Sequence, residues 1–143
     1  LKEWNPFCET DTLISVSDYL EHSYTSKPQL ILNLGNEYTY NSESYYASLL
    51  AQARGEKILP GVETINRLES GTGIRMSNEL QKLCYQWIQR NEISDEIWYM
   101  NIYLGSCAEK GLERISRFIF DNYPCPLLRV GFPGVRQHLS LPI

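Results

Sequence analysis

The hydrophobic pattern is most regular between Gln29 and Leu59, QLILNLGNEYTYNSESYYASLLAQARGEKIL. Leu30 to Leu34 is a near-continuous apolar run, the pattern of a strand covered on both faces. Tyr46, Leu49, Leu50 and Ala53 follow at i, i+3, i+4, i+7, which predicts a helix that buries this stripe. Asn41, Ser42 or Ser44 can cap its start, and Gly55 can end it in the left-handed conformation. Lys57 to Leu59 reads as a second short strand. Strand, helix, strand in this order predicts parallel pairing through a right-handed crossover.

On either side the pattern continues less strongly. Leu1 to Thr12 has no periodicity and reads as an irregular lead-in. Leu13 to Val16 is a short strand candidate, Ser17–Asp18 can cap one helical turn through His22, and Tyr24 to Pro28 reads as a loop. After the Pro60–Gly61 turn, Val62 to Leu68 predicts a two-turn helix, and Ser70 to Gly73 is the most flexible stretch. Ser77 is placed to cap a helix with the stripe Leu80, Leu83, Cys84, Trp87 and Ile88, ending at Asn91. Ile97 to Leu104 is rich in aromatic and β-branched residues and predicts a strand. Ser106 and Glu109 match a capping box for a helix that turns Leu112, Ile115, Phe118 and Ile119 inward and stops near Pro124. Leu127 to Phe132 predicts the last strand, and Pro133 to Ile143 an edge strand or the start of a linker. The sum is an α/β fold: one three-layer-like domain over residues 13–132, its mostly parallel sheet of about five strands flanked by about four helices.

Composition bounds the class. The chain has 143 residues, 43% hydrophobic and 21% charged, enough for one domain with a sizeable core. No apolar run approaches the roughly 18 residues of a membrane helix, and the start lacks the pattern of a secretion signal. The net charge of −4 argues against a general nucleic-acid binder. None of Cys8, Cys84, Cys107 and Cys125 belongs to a C-x-x-C pair, and Cys84 falls on an apolar helix face as a small buried hydrophobe. Together these predict a reducing, cytoplasmic setting.

Chemistry-bearing motifs are sparse. Gly71-Thr72-Gly73 has no lysine behind it, so it fails as a phosphate loop, and Leu34-Gly35-Asn36 lacks the further glycines of a dinucleotide fingerprint. His22 and His138 have no carboxylate or histidine at metal-ligand spacing, and no G-x-S-x-G elbow nominates a nucleophile. What stands out is a tyrosine cluster, Tyr38, Tyr40, Tyr45 and Tyr46, just after the first strand. Ligands in open α/β sheets bind outside the carboxyl ends of strands, where phenols can stack on a planar ligand or donate to a carboxylate. The same tyrosines can instead bury their rings and keep their hydroxyls wet at a rim or interface. Both readings stay open.

Asn33-Leu34, Tyr38-Thr39-Tyr40 and the stretch Ser44-Tyr45-Tyr46-Ala47-Ser48-Leu49-Leu50-Ala51-Gln52-Ala53-Arg54-Gly55 resemble the RimK-like ATP-grasp N-terminal domain. Ser15 to Leu20 resembles that family's opening strand and turn, and Leu59 to Ile65 its P-x-V-x-T connection. Tyr123-Pro124-Cys125-Pro126-Leu127-Leu128-Arg129-Val130 resembles its F-P-x-P-L-L-R-V segment. Two positions depart from the pattern: Gly35-Asn36 replaces a cysteine–arginine-like pair, and Leu104 to Cys107 keeps only the glycine of an F-G-R-like turn.

The resemblance implies a non-catalytic accessory domain ahead of a carboxylate–amine ligase module. ATP, magnesium and acyl-phosphate chemistry would belong to that module, in the same chain or a separate one, with no cofactor in these residues. It further implies Asn33, Tyr38, Tyr40, Ser42, Tyr45, Tyr46 and Arg54 as the residues of a ligand or docking edge, with no catalytic and no metal-binding residue. A free-standing module binding a small carboxylate or a peptide is the alternative. No nucleic-acid or membrane partner is expected, and homodimerisation stays open.

Overall fold

A computed structural model describes residues 13–21 and 30–134. The expected lead-in at residues 1–12, the loop Tyr24 to Pro28, His22, His138 and the expected edge strand or linker at residues 135–143 lie outside them. The chain divides into two compact units, Leu1–Glu69 and Ser70–Ile143.

In the first unit the elements are α1 (Val16–Glu21), β1 (Ile31–Leu32), α2 (Glu43–Ala53), β2 (Ile58–Leu59) and α3 (Val62–Glu69). The predicted strand at Leu13 to Val16 does not form: Leu13 to Ser15 has no regular structure, and Ser15 Oγ instead accepts the Asp18 N–H at the head of α1. β1 and β2 pair in parallel, Ile31 with Ile58 and Leu32 with Leu59, as the strand–helix–strand pattern predicts. Ser42 caps α2, accepting the Tyr45 N–H at 3.2 Å. Gly55, at φ 73°, closes the helix, with its N–H on the Gln52 carbonyl and the Glu56 N–H on that of Ala51.

The buried face of α2 is not the predicted one. Ser44, Tyr45, Ala47, Ser48 and Ala51 are buried, whereas Tyr46, Leu49 and Ala53 are exposed and Leu50 is half-buried. Tyr19, Ala47, Ala51 and Ile58 form the core of this unit, with Val16, Leu20, Ile31 and Leu50 packed against it. The small side chains at 44, 47, 48 and 51 share one helical face, and they let the helix backbone lie close to the parallel strand pair. Of the larger side chains, Tyr45 is buried and Leu50 half-buried, whereas Tyr46 and Leu49 are left exposed.

The second unit contains α4 (Asn78–Arg90), β3 (Ile97–Tyr103), α5 (Glu113–Asn122) and β4 (Leu127–Pro133). Here the helical stripes go inward as predicted. Leu80, Cys84 and Ile88 of α4 pack with Ile115 and Ile119 of α5 against Met100, Ile102 and Phe132. Burial pushes the Cys84 thiol up to about 11, so at neutral pH it behaves as a small hydrophobe. Trp98 stacks between Trp87 and Phe132, at centroid distances of 4.9 and 5.6 Å.

Two expectations fail in this unit. Among the described residues, two two-stranded sheets stand in place of the predicted five-stranded, mostly parallel one, and β3–β4 is antiparallel, from Ile97 opposite Pro133 to Tyr103 opposite Leu127. The cause is where α5 delivers the chain. It returns to the Tyr103 end of β3, where the Leu104 N–H bonds the Pro126 carbonyl, so the next strand runs backwards. The capping box at Ser106 and Glu109 also does not form. Ser106 and Tyr103 exchange backbone hydrogen bonds across a tight turn with Leu104 at φ 48° and Gly105 at φ 86°. A Cβ on Gly105 would press on the Phe120 ring at 3.2 Å. The helix therefore starts later, at Glu113. The carboxylate of Glu113 accepts the Gly111 N–H at 2.9 Å and is held below its usual pKa by backbone donors at the helix start.

These burial patterns predict opposite responses on two helices. Ile119→Ala, at a fully buried position, should cost about 2–5 kcal/mol in urea denaturation. Leu49→Ala should change stability by less than about 0.5 kcal/mol. A large loss at Leu49 would mean that the apolar stripe of α2 is core after all.

Candidate functional site

The carboxyl end of β1 is organised by Asn33. Its side chain is buried and donates to the Ser44 carbonyl at 2.8 Å and to Ser48 Oγ at 3.0 Å. Its Oδ1 accepts the Gly35 N–H at 3.2 Å. Ser48 Oγ in turn donates to the Pro60 carbonyl at 2.7 Å, and the Asn33 N–H bonds the Leu59 carbonyl. A buried carboxamide with its donors and acceptor satisfied is a joint between strand, helix and turn.

Gly35 completes the joint. An added Cβ would sit 1.8 Å from Ser44 Oγ and 3.2 Å from Asn33 Oδ1, so the backbone passes the start of α2 at a distance no side chain allows. This is a physical reason for glycine where the sequence departs from the cysteine–arginine-like pair.

The tyrosines divide. Tyr38 donates its hydroxyl to the Asn33 carbonyl at 2.6 Å. Tyr45 is buried, with Tyr40 and Tyr46 edge-on to its ring at 5.5 and 6.1 Å. Tyr46 is 41% exposed and donates to Asn41 Oδ1, while Tyr40 is 75% exposed. Ser42 caps α2 and donates to the Glu37 carbonyl at 3.0 Å. Asn33, Tyr38, Ser42 and Tyr45 are thus engaged in holding the loop, and Tyr40 and Tyr46 form its outer surface. Arg54 lies at the other end of α2, with its guanidinium 5.3 Å from the centroid of the Tyr19 ring.

A cavity of about 380 Å³ opens beside the strand end. Leu13–Val16 and Tyr19 line one part of it and Ile31–Asn36 another, with Ala47 and Ile58 completing the wall. Of the site residues predicted from sequence, Asn33 alone borders it. Ile14, Leu32 and Gly35 were missed, although the apolar runs Leu13–Val16 and Leu30–Leu34 both carried a signal, having been read as strand cores. Among the described residues, no Asp, Glu, Lys or Arg lines the cavity. Beside it, the Tyr19 hydroxyl donates to the Glu56 carboxylate. Burial, reinforced by that hydrogen bond, pushes the phenol up to about 12.

Among the described residues, no three His, Cys, Asp or Glu side chains are grouped to hold a metal ion, and no helix is long and apolar enough to cross a membrane. The fold and this strand-end site define a small α/β domain whose polar side chains near the site chiefly serve its architecture. Residues 16–141 match the family model of the RimK-like ATP-grasp N-terminal domain, and the chain belongs to that family. No curated protein and no solved structure gives a significant match.

Two measurements check this reading of the site. Asn33→Leu should destabilise the protein by about 1–3 kcal/mol, because it leaves buried partners unsatisfied, and Tyr40→Ala should leave the thermal melt nearly unchanged. Tyr19 should also make stability fall at high pH. The unfolded chain loses its phenol proton near pH 10 and the folded one near 12, so the folded state binds more protons between these values and stability declines with rising pH. Tyr19→Phe should flatten that decline in denaturant titrations from pH 9 to 12, and an unchanged slope would rule out the protected phenol.

Proposed function

We propose that this chain is the non-catalytic N-terminal accessory domain of a RimK-like ATP-grasp carboxylate–amine ligase, docking on the ATP-grasp module at the edge of its substrate site. Family membership supports this reading, and one structural observation carries it: the outward stripe of α2. Tyr46, Leu49 and Ala53 lie exposed, and with Leu50 and Leu20 of α1 they border one apolar depression. Apolar side chains gathered on one outward helix face suit a partner surface better than water. The exposed Tyr40 and Tyr46, near the start of the same helix, would extend that surface towards the substrate. In this reading ATP and magnesium are bound by the partner module, and the present residues contribute shape and contact.

The test has two arms. Calorimetry of this chain with magnesium-ATP should give no tight binding, and a low-micromolar Kd would overturn the assignment of nucleotide chemistry to another module. Leu49→Glu should weaken association with the ATP-grasp module, encoded downstream in the same frame or separately, by at least about tenfold, with an unchanged thermal melt. Full association by that variant would remove α2 as the docking face.

A further inference from the structure

Among the described residues, the edge of β1 that faces away from β2 has no strand partner. The Ile31 N–H bonds the Lys57 carbonyl and the Asn33 N–H bonds the Leu59 carbonyl, both towards β2. In a planar trans peptide the carbonyl points opposite to the N–H, so the carbonyls of Leu30 and Leu32 point away from β2. Strand alternation turns the Leu32 N–H the same way. Among the described residues, no hydrogen bond reaches these three groups. Leu30 and Leu32 are 50% and 41% exposed.

The cavity lies alongside this strand. Its lining includes the adjacent residues Ile31 and Leu32, whose side chains project to opposite faces of the sheet. Across it stand Leu13, Ile14 and Val16. Among the described residues the lining carries no charge, and Leu13, Ile14, Val16, Ile31 and Leu32 make its apolar part. These backbone groups and this wall suit an occupant with backbone donors and acceptors in a row and an uncharged apolar side chain.

We propose that the β1 edge and its cavity bind an extended peptide segment by strand addition, with one apolar side chain of the peptide seated between Leu32 and Ile14. Backbone pairing provides the general affinity and the cavity the side-chain preference, as in other strand-addition sites. With no charge among the described lining residues, an acidic or basic side chain at the seated position is disfavoured, since burying an unpaired charge there is costly. This site is separate from the outward face of α2, and its occupancy does not depend on docking there.

The probe is a blocked hexapeptide of alternating serine and valine with a terminal lysine for solubility, titrated into the whole chain and followed by amide NMR and hydrogen exchange. Saturable binding with a Kd below about 1 mM is expected, together with slowed exchange at the Leu32 amide. Ile14→Asp and Leu32→Lys, both at half-exposed positions that tolerate polar groups, should each weaken binding by at least about tenfold, with unchanged thermal melts. A peptide N-methylated on its pairing edge should fail to bind. Any of four results would overturn the proposal: no saturation, binding without protection of Leu32, equal binding of the N-methylated peptide, or protection of Leu32 in the free protein through self-association. Equal displacement of the peptide by a small apolar amide would also overturn it, by assigning the cavity to a small molecule.

Discussion

The buried carboxamide of Asn33 is the constraint on which the first unit depends. A primary amide inside a fold must satisfy its two donors and its acceptor, and here the partners come from the loop after β1, the first turns of α2 and, through Ser48, the turn after β2. These bonds hold α2 close to the strand pair. Close approach admits serine and alanine on the facing side, glycine at position 35 and little else. The tyrosines follow from the same joint, since Tyr38 closes over the Asn33 carbonyl and Tyr45 is buried beside it.

That joint also explains why α2 departs from the usual rule for amphipathic helices. The rule places the larger apolar residues inward because they remove the most surface from water. On α2 the inward positions are limited by backbone distance, so size works against burial and Leu49 is left outside. Among the described residues, the helices of the second unit carry no buried carboxamide joint, and the buried Ser116 hydroxyl of α5 donates to the Gly105 carbonyl. Their leucines and isoleucines pack against Met100 and Ile102 as hydrophobic periodicity predicts. The same periodicity rule thus succeeds in one unit and fails in the other.

The open edge of β1 and the outward stripe of α2 are different kinds of surface on one unit. One offers directional backbone groups beside a cavity, the other apolar area without directional demand. In the proposed reading such surfaces contribute by holding a module in place or by presenting an extended segment. Membership in the RimK-like ATP-grasp N-terminal family gives those surfaces a setting.

Much of the fold was legible from local signals. Capping by Ser77 and by one of Asn41, Ser42 and Ser44, the glycine stop at Gly55, the parallel pairing of β1 and β2 and the inward stripes of α4 and α5 all depend on neighbours within a few residues or on short-range order along the chain. The ordered family motifs were legible for the same reason. What only the tertiary structure decided was which face of α2 is buried, that Ser106 bridges to Tyr103 rather than capping a helix, that β4 runs antiparallel to β3, and that a cavity opens beside the edge of β1. Each depends on how closely two distant backbones approach and on which hydrogen bonds that approach allows. Residue spacing records periodicity along one element, and it carries no measure of the distance to the next.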